Sequence, residues 1–236
     1  MRRLLIAIIA LAIAFPCYGQ GFTYFKKKAA AGGGAPNIAL NLAFSAVANG
    51  YETNTVITKP TGTVDGDFIL VAVYWFNDGT MTPAAGWSTI STFNHPNATF
   101  NLGIYYKRAS SEGANWTFTH TDGLYTFARA WRITGVVASG DPEDCTRSVN
   151  YQIQDGATTT WTSITTATNG AAVIGVRANI DQGLISASTL TERVDTVGLS
   201  VIADTQASAG ASGNKTATDT DTYSWRILVL LALKPA

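Results

Sequence analysis

The chain has 236 residues, 46% of them hydrophobic and only 14% charged, with a formal net charge of zero. A hydrophobic share of that size builds a real core and excludes a disordered body. With Arg2, Arg3 and Lys26–Lys28 set apart, 11 basic side chains face 16 acidic ones, a balance that argues against nucleic acid as a partner.

Met1-Arg2-Arg3 precedes the apolar run Leu4–Phe15. A basic start and a short apolar core have the proportions of a signal peptide, too short for a comfortable bilayer span. Cys17 and Gly19 supply small residues for cleavage after Gly19. Residues 1–19 are therefore read as a leader, and the product as exported: secreted, periplasmic or surface-associated. An uncleaved anchor is the competing reading. Residues 20–36 combine the lysine triplet with alanines, glycines and Pro36, the composition of a flexible linker. Downstream, the apolar run Ile227–Leu233 is strand-length, so no membrane span is expected in the mature chain. That chain keeps only Cys145, so no intramolecular disulfide is expected, and no histidine neighbours the thiol in sequence to activate it.

Residues 37–236 read as a single domain. Ile38, Leu40, Leu42 and Phe44 alternate with smaller or polar residues, as in a half-buried strand. The turn Asp65-Gly66-Asp67 then launches Phe68–Trp75, which is apolar on both faces. Such a run needs cover on both sides and belongs in the middle of a sheet. Further strands are expected at 53–58, 87–94, 98–107, 115–120 and 124–135. In the second half they fall at 148–153, 160–166, 171–178, 185–195, 197–206 and 223–234. Turn signals such as Asn77-Asp78-Gly79 and Asp122-Gly123 separate them. The Thr-, Ser- and Gly-rich stretch 204–222 reads as a mobile loop. About twelve strands without a helix predict an all-β protein, a jelly-roll-like β-sandwich.

The halves echo one another. Gly66–Val73 resembles Gly170–Val176, and Leu102-Gly103-Ile104 resembles Leu199-Ser200-Val201. Thr119–Asp122 leading to Trp131-Arg132-Ile133 resembles Thr218–Asp221 leading to Trp225-Arg226-Ile227. A shared order of this kind predicts a pseudo-duplicated sandwich with equivalent strands in equivalent places. Shared β composition is the competing explanation.

The segments GDFILVAVYW, TPAAGWSTI, NLGIYYKRAS and FARAWRITGV, spanning roughly 53–136, resemble the jelly-roll-type sandwich modules of secreted bacterial proteins and of phage tail or fibre proteins. The resemblance implies a fold and a surface or attachment role. It implies no reaction.

No catalytic residue emerges. A Gly-x-Ser-x-Gly nucleophile motif is absent, and the mature histidines are His95, in a turn, and His120, on a strand face beside Trp116 and Phe118. Polysaccharide hydrolysis wants two carboxylates together, yet Glu192 and Asp195, three apart, fall on opposite faces of a regular strand. Calcium has candidate ligands in Asp65 and Asp67, or Asp219 and Asp221, which turn formation also explains. Trp87, after a turn, and Trp161, in a Thr-rich stretch, are the better candidates for exposure, with Trp116, Trp131 and Trp225 in the core. An exposed indole gives a sugar ring an apolar platform, and a carboxylate such as Asp78 accepts hydrogen bonds from its hydroxyls; structural packing is nonetheless the favoured reading for both indoles. The expected function is non-enzymatic attachment to a glycan or cell-surface ligand. The alternatives are a self-assembling subunit of a virion or surface appendage, whose partners are copies of itself, and a polysaccharide-active enzyme.

Overall fold

The computed structural model describes residues 38–40, 44–155, 157–180, 183–186, 188–196, 198–220 and 223–236. The expected leader, residues 1–19, and the expected linker, residues 20–36, lie outside them. The described residues hold sixteen strands and no helix. In the first half these are β1 (Phe44–Thr58), β2 (Phe68–Phe76), β3 (Met81–Thr82), β4 (Ser88–Asn94), β5 (Phe100–Arg108) and β6 (Asn115–Ile133). The second half contains β7 (Ser148–Asp155), β8 (Thr158–Trp161), β9 (Thr165–Thr166), β10 (Ala171–Asn179) and β11 (Ile185–Ser186). It continues with β12 (Glu192–Thr196), β13 (Leu199–Gln206), β14 (Gly210–Ala211), β15 (Lys215–Asp219) and β16 (Tyr223–Leu233).

The expected all-β sandwich is the fold. One large sheet runs β1-β6-β2-β5-β4, with β3 on β6, and the other runs β12-β13-β10-β16-β7. Their inner faces share one core, in which Leu70, Tyr74, Phe100, Leu102 and Trp131 meet Ile174, Val176, Val201, Val229 and Leu231. Each outer face has its own cover. Ile69, Val71 and Trp75 pack with Met81, Trp87, Trp116 and Phe118; Val173 packs with Trp161, Leu190, Ile202 and Leu230. This second cover explains why β2 is apolar on both faces and almost wholly buried. Winding departs from the expected jelly roll. All strands of the first large sheet precede those of the second, whereas the Greek keys of a jelly roll are shared between its two sheets.

The two large sheets are copies. Read from one edge, β1-β6-β2-β5-β4 and β7-β16-β10-β13-β12 place corresponding strands in the same order. Gly66 and Gly170 launch the central strands at φ of 90° and 78°, a left-handed conformation that glycine adopts without strain. Leu102-Gly103-Ile104 lies beside Tyr74-Val73-Ala72 as Leu199-Ser200-Val201 lies beside Ala178-Arg177-Val176. The β4–β5 register slips between Thr89 and Ser91, and the β12–β13 register slips between Glu192 and Val194. Met81 pairs with His120 as Ile185 pairs with Asp219. Even a side-chain bond recurs: the Thr80 amide donates to Thr121 Oγ1 at 3.1 Å and the Leu184 amide to Thr220 Oγ1 at 2.9 Å. Shared composition does not copy a bulge at the same place in the same strand.

One matched segment is not equivalent. Ile133 sits opposite Phe68 and Leu233 opposite Ala172, at the same end of their sheets. Trp225 lies opposite Ile153, at the other end. Strand β6 runs through as one strand where the second half divides the path into β15 and β16, so residue spacing is not conserved there. Strand 185–195 likewise divides into β11 and β12. The stretch 204–222 is not a bare loop, since it carries the end of β13, then β14 and β15. Asp204 anchors this region by accepting from the Thr191 amide at 2.7 Å. No helix among the described residues is long and apolar enough to cross a membrane.

Candidate functional site

A cavity of about 360 Å³ opens on the outer face of the first sheet, over Trp75 and Tyr105. Strand alternation puts both rings on that face, and Gly103 between them has no side chain to fill the space. A Cβ at Gly103 would come within 2.5 Å of the Tyr105 ring, so the glycine is what lets the ring lie down along β5. Phe118 holds it edge-on, with centroids 5.2 Å apart. Residues 77–81 form one wall. The indole of Trp75 donates to the Gly79 carbonyl at 2.8 Å, and the Asn101 amide donates to the Asn77 carbonyl at 2.6 Å. Asn77 turns the chain at φ 71°, a conformation asparagine tolerates better than most residues. Asp78, Thr80, Thr89, Thr92 and Asn94 give the rim its carboxylate, hydroxyls and amide.

Tyr105 lines the cavity and is 1% exposed, and its hydroxyl is buried without a hydrogen-bond partner. Burial pushes its pKa up, so it stays protonated and available as a donor. An aromatic floor beneath hydroxyls, amides and one carboxylate suits a polyhydroxylated ligand.

Of the residues nominated from sequence, Asp78 reaches this cavity and the two tryptophans do not. Trp87 packs edge-on against Trp116 and Phe118 at 5.1 and 5.4 Å, with the Lys107 ammonium 5.8 Å above its ring. Trp161 is 1% exposed, and its indole donates to the Val176 carbonyl at 3.0 Å. Their nomination as exposed sugar platforms is therefore corrected, and packing is the role of both. Trp161 settles over Gly175, whose missing side chain leaves room for the ring, and each indole supplies cover that its outer sheet face requires. The aromatics that line the cavity, Trp75 and Tyr105, were missed because strand parity alone reads them as core. Gly103, inside an otherwise apolar strand, was the available signal.

The calcium candidates serve the chain itself. Asp65 Oδ1 accepts from the Ser111 amide at 2.7 Å. Asp67 accepts from the Val64 amide at 2.7 Å and pairs with Arg132 at 2.5 Å. Asp219 lies between two guanidiniums, and Asp221 is outside the described residues. Among the described residues no group of three or more His, Cys, Asp or Glu side chains is arranged to hold a metal. Glu192 and Asp195 need a correction too. The bulge between Glu192 and Val194 sets them opposite Ile202 and Ser200, on one face of the sheet. Both carboxyls are shifted up, by burial first and by neighbouring acids. Asp195 nevertheless spends its oxygens on Ser200 Oγ and the Ile185 amide, at 2.8 and 2.9 Å. Cys145 is half-buried, and burial with Asp144 and Glu143 raises its pKa, which disfavours the nucleophilic thiolate.

The corresponding place in the second half is full. Arg177 stands where the first half has Val73. Its guanidinium donates to the Gly183 carbonyl at 2.8 Å, Ser200 Oγ at 3.1 Å and Asp219 Oδ2 at 2.5 Å. Arg226 joins from the next strand, 3.1 Å from Asp219, and donates to Thr159 Oγ1 at 3.2 Å. Thr159 in turn donates to Asp219 at 3.0 Å. Both arginine side chains are wholly buried, and burial lowers the pKa of Arg177. Thr55, His120 and Thr126 are the first-half counterparts of Thr159, Asp219 and Arg226. They form a version without arginine or carboxylate, with Thr55 Oγ1 3.0 Å from His120 Nε2 and 2.9 Å from Thr126 Oγ1. The sequence signal for the charged network was an arginine inside each of two apolar strands. Comparison with known proteins adds no relative: no family model, curated protein or solved structure matches the chain.

Proposed function

We propose that the chain is a non-enzymatic carbohydrate-binding module whose site is the cleft over Gly103. The observation that carries this reading is the open cleft itself, floored by Trp75 and Tyr105 and rimmed by Asp78, Thr80, Thr89, Thr92 and Asn94. The Tyr105 hydroxyl, buried without a partner beneath the cleft, is an unmade bond that costs about 1–3 kcal/mol, and a small ring movement that brings it to a ligand acceptor recovers that cost. Trp75 and Tyr105 lie in the floor, and Asp78, Thr92 and Asn94 supply the polar partners that sugar hydroxyls use. Hydrolysis is not favoured, because Asp78 is the single carboxylate in the cleft lining and the reaction calls for a pair. Export through the leader read at Met1–Gly19 agrees with a glycan ligand outside the cell.

A glycan array probed with the full chain and with Thr92→Trp tests the proposal. Thr92 is an exposed rim residue on β4, so an indole there closes the cleft without entering the core. The expected result is a glycan captured by the wild type and lost in Thr92→Trp, with an unchanged unfolding midpoint. A blank array, or capture that survives the substitution, overturns the reading.

A further inference from the structure

The second half leaves an opening of its own, at the opposite end of its outer face. A cavity of about 390 Å³ lies over Val173 and Leu190 and is walled by Asp204, Gln206, Ser212 and Lys215. Its walls come from the 204–222 stretch that sequence alone reads as a loop. The matching space in the first half is filled. Register places Lys107 at the position of Asp204 and Trp116 at that of Lys215. Trp87, two residues before the bulged pair Thr89–Tyr105, corresponds to Leu190, two before Glu192–Ile202. Trp87 and Trp116 pack together there, with Glu112 accepting from the Trp116 indole at 2.6 Å and pairing with Lys107 at 2.8 Å. Each half closes the end that its copy leaves open.

The two clefts differ in charge. Asp204 is balanced by Arg193, at 3.2 Å. Lys215 donates to the Ser212 carbonyl at 2.6 Å and has no carboxylate partner among the described residues. The lining of the second cleft therefore holds one carboxylate, already engaged by Arg193, and one ammonium free to meet an anion. The lining of the first holds Asp78 and no cation.

We propose that the cleft over Val173 and Leu190 is a second saccharide site, selective for an anionic sugar of the uronic acid class held by Lys215. The choice of ligand class rests on the carbohydrate reading of the first cleft. Because the sheets meet by their inner faces and both clefts lie on outer faces, the two sites point away from each other. One chain then bridges two glycan strands.

The test is a pair of NMR titrations of the full chain, with sodium glucuronate and with glucose as probes. Glucuronate is expected to shift the amides of 204–206 and 212–215, and glucose those around Tyr105. Leu190→Trp copies the filling of the first half and is expected to abolish the glucuronate shifts alone. Ala211→Trp, on the exposed rim, makes the same test without touching the core. Lys215→Met is expected to weaken glucuronate about tenfold, the loss of one charge-assisted hydrogen bond. Glucuronate that leaves 204–215 unshifted, or shifts that survive both filling substitutions, overturns the second site. If glucose leaves the Tyr105 region unmoved while glucuronate still moves 204–215, the first-cleft reading fails and the second site stands.

Discussion

The two halves build the same sheet and cover its outer face in opposite ways. Where the second half places Arg177, Arg226 and Asp219, the first has Val73, Thr126 and His120 beside an open cleft. Where the first half stacks Trp87 on Trp116, the second has Leu190 and Lys215 beside another. Backbone order, register and bulge are common to both, so the strand framework does not decide where a cavity forms. Side-chain volume and charge at a few outer-face positions decide it. The buried ions are tolerable because Asp219 pairs with both guanidiniums and Gly183, Ser200 and Thr159 take further bonds from them, the kind of pairing that buried charge must meet.

The largest expected effect breaks the charged version. Asp219→Ala leaves two buried guanidiniums facing each other, a change that costs about 3–5 kcal/mol. Its counterpart His120→Ala removes a hydrogen-bond partner of Thr55, at about 1–3 kcal/mol. Urea unfolding of the two variants measures the difference; equal losses would dissolve the contrast between the halves. Next comes Gly103→Ala, whose Cβ collides with the Tyr105 ring. Overpacking of this sort costs about 1–3 kcal/mol, and the displaced ring is expected to occupy the cleft and abolish sugar binding, read by calorimetry. Tyr105→Phe separates stability from function. Removing an unpartnered buried hydroxyl is expected to stabilise the fold by up to about 1 kcal/mol while weakening the sugar roughly three- to tenfold. A substitution that lowered both would assign the hydroxyl to the fold.

The smallest effects lie in acid. Burial raises the pKa of Glu112, but hydrogen bonds from Lys107, Trp116 and the Ser110 amide outweigh it, and the net shift is down. The bonds to this carboxylate therefore contribute fully above the ordinary value of 4.5 and are lost as pH falls through the depressed value. Burial raises Asp195 above 3.8, so the folded state holds its proton more tightly and this group favours folding as pH falls through the raised value. In acid unfolding series, Glu112→Gln is expected to make the loss of stability below pH 4.5 shallower, and Asp195→Asn to make the loss just above pH 3.8 steeper. The reverse ordering would contradict both assignments.

Much of this was legible in the chain. The double-sided apolarity of Phe68–Trp75 placed β2 at the centre of its sheet. The matches Gly66/Gly170 and Leu102/Leu199 were correct in register. What the sequence hid depends on bulges and on small residues. A slip between Glu192 and Val194 moved a carboxylate to the other face, and the different division of β6 and β15–β16 misaligned Trp225. Trp87 and Trp161 look exposed beside turns and threonines, but a ring is free only if nothing else must cover the sheet beneath it. The cleft itself is written as an absence, Gly103, which period-based reading passes over.

The most direct test of the central claim is a crystal structure of the full chain grown with glucose. The account predicts a sugar ring over Gly103, between Trp75 and Tyr105 and within hydrogen-bond reach of the tyrosine hydroxyl, with nothing bound at the matching place beside Arg177. An empty first cleft at saturating sugar, or a ring held elsewhere on the first sheet, would contradict it.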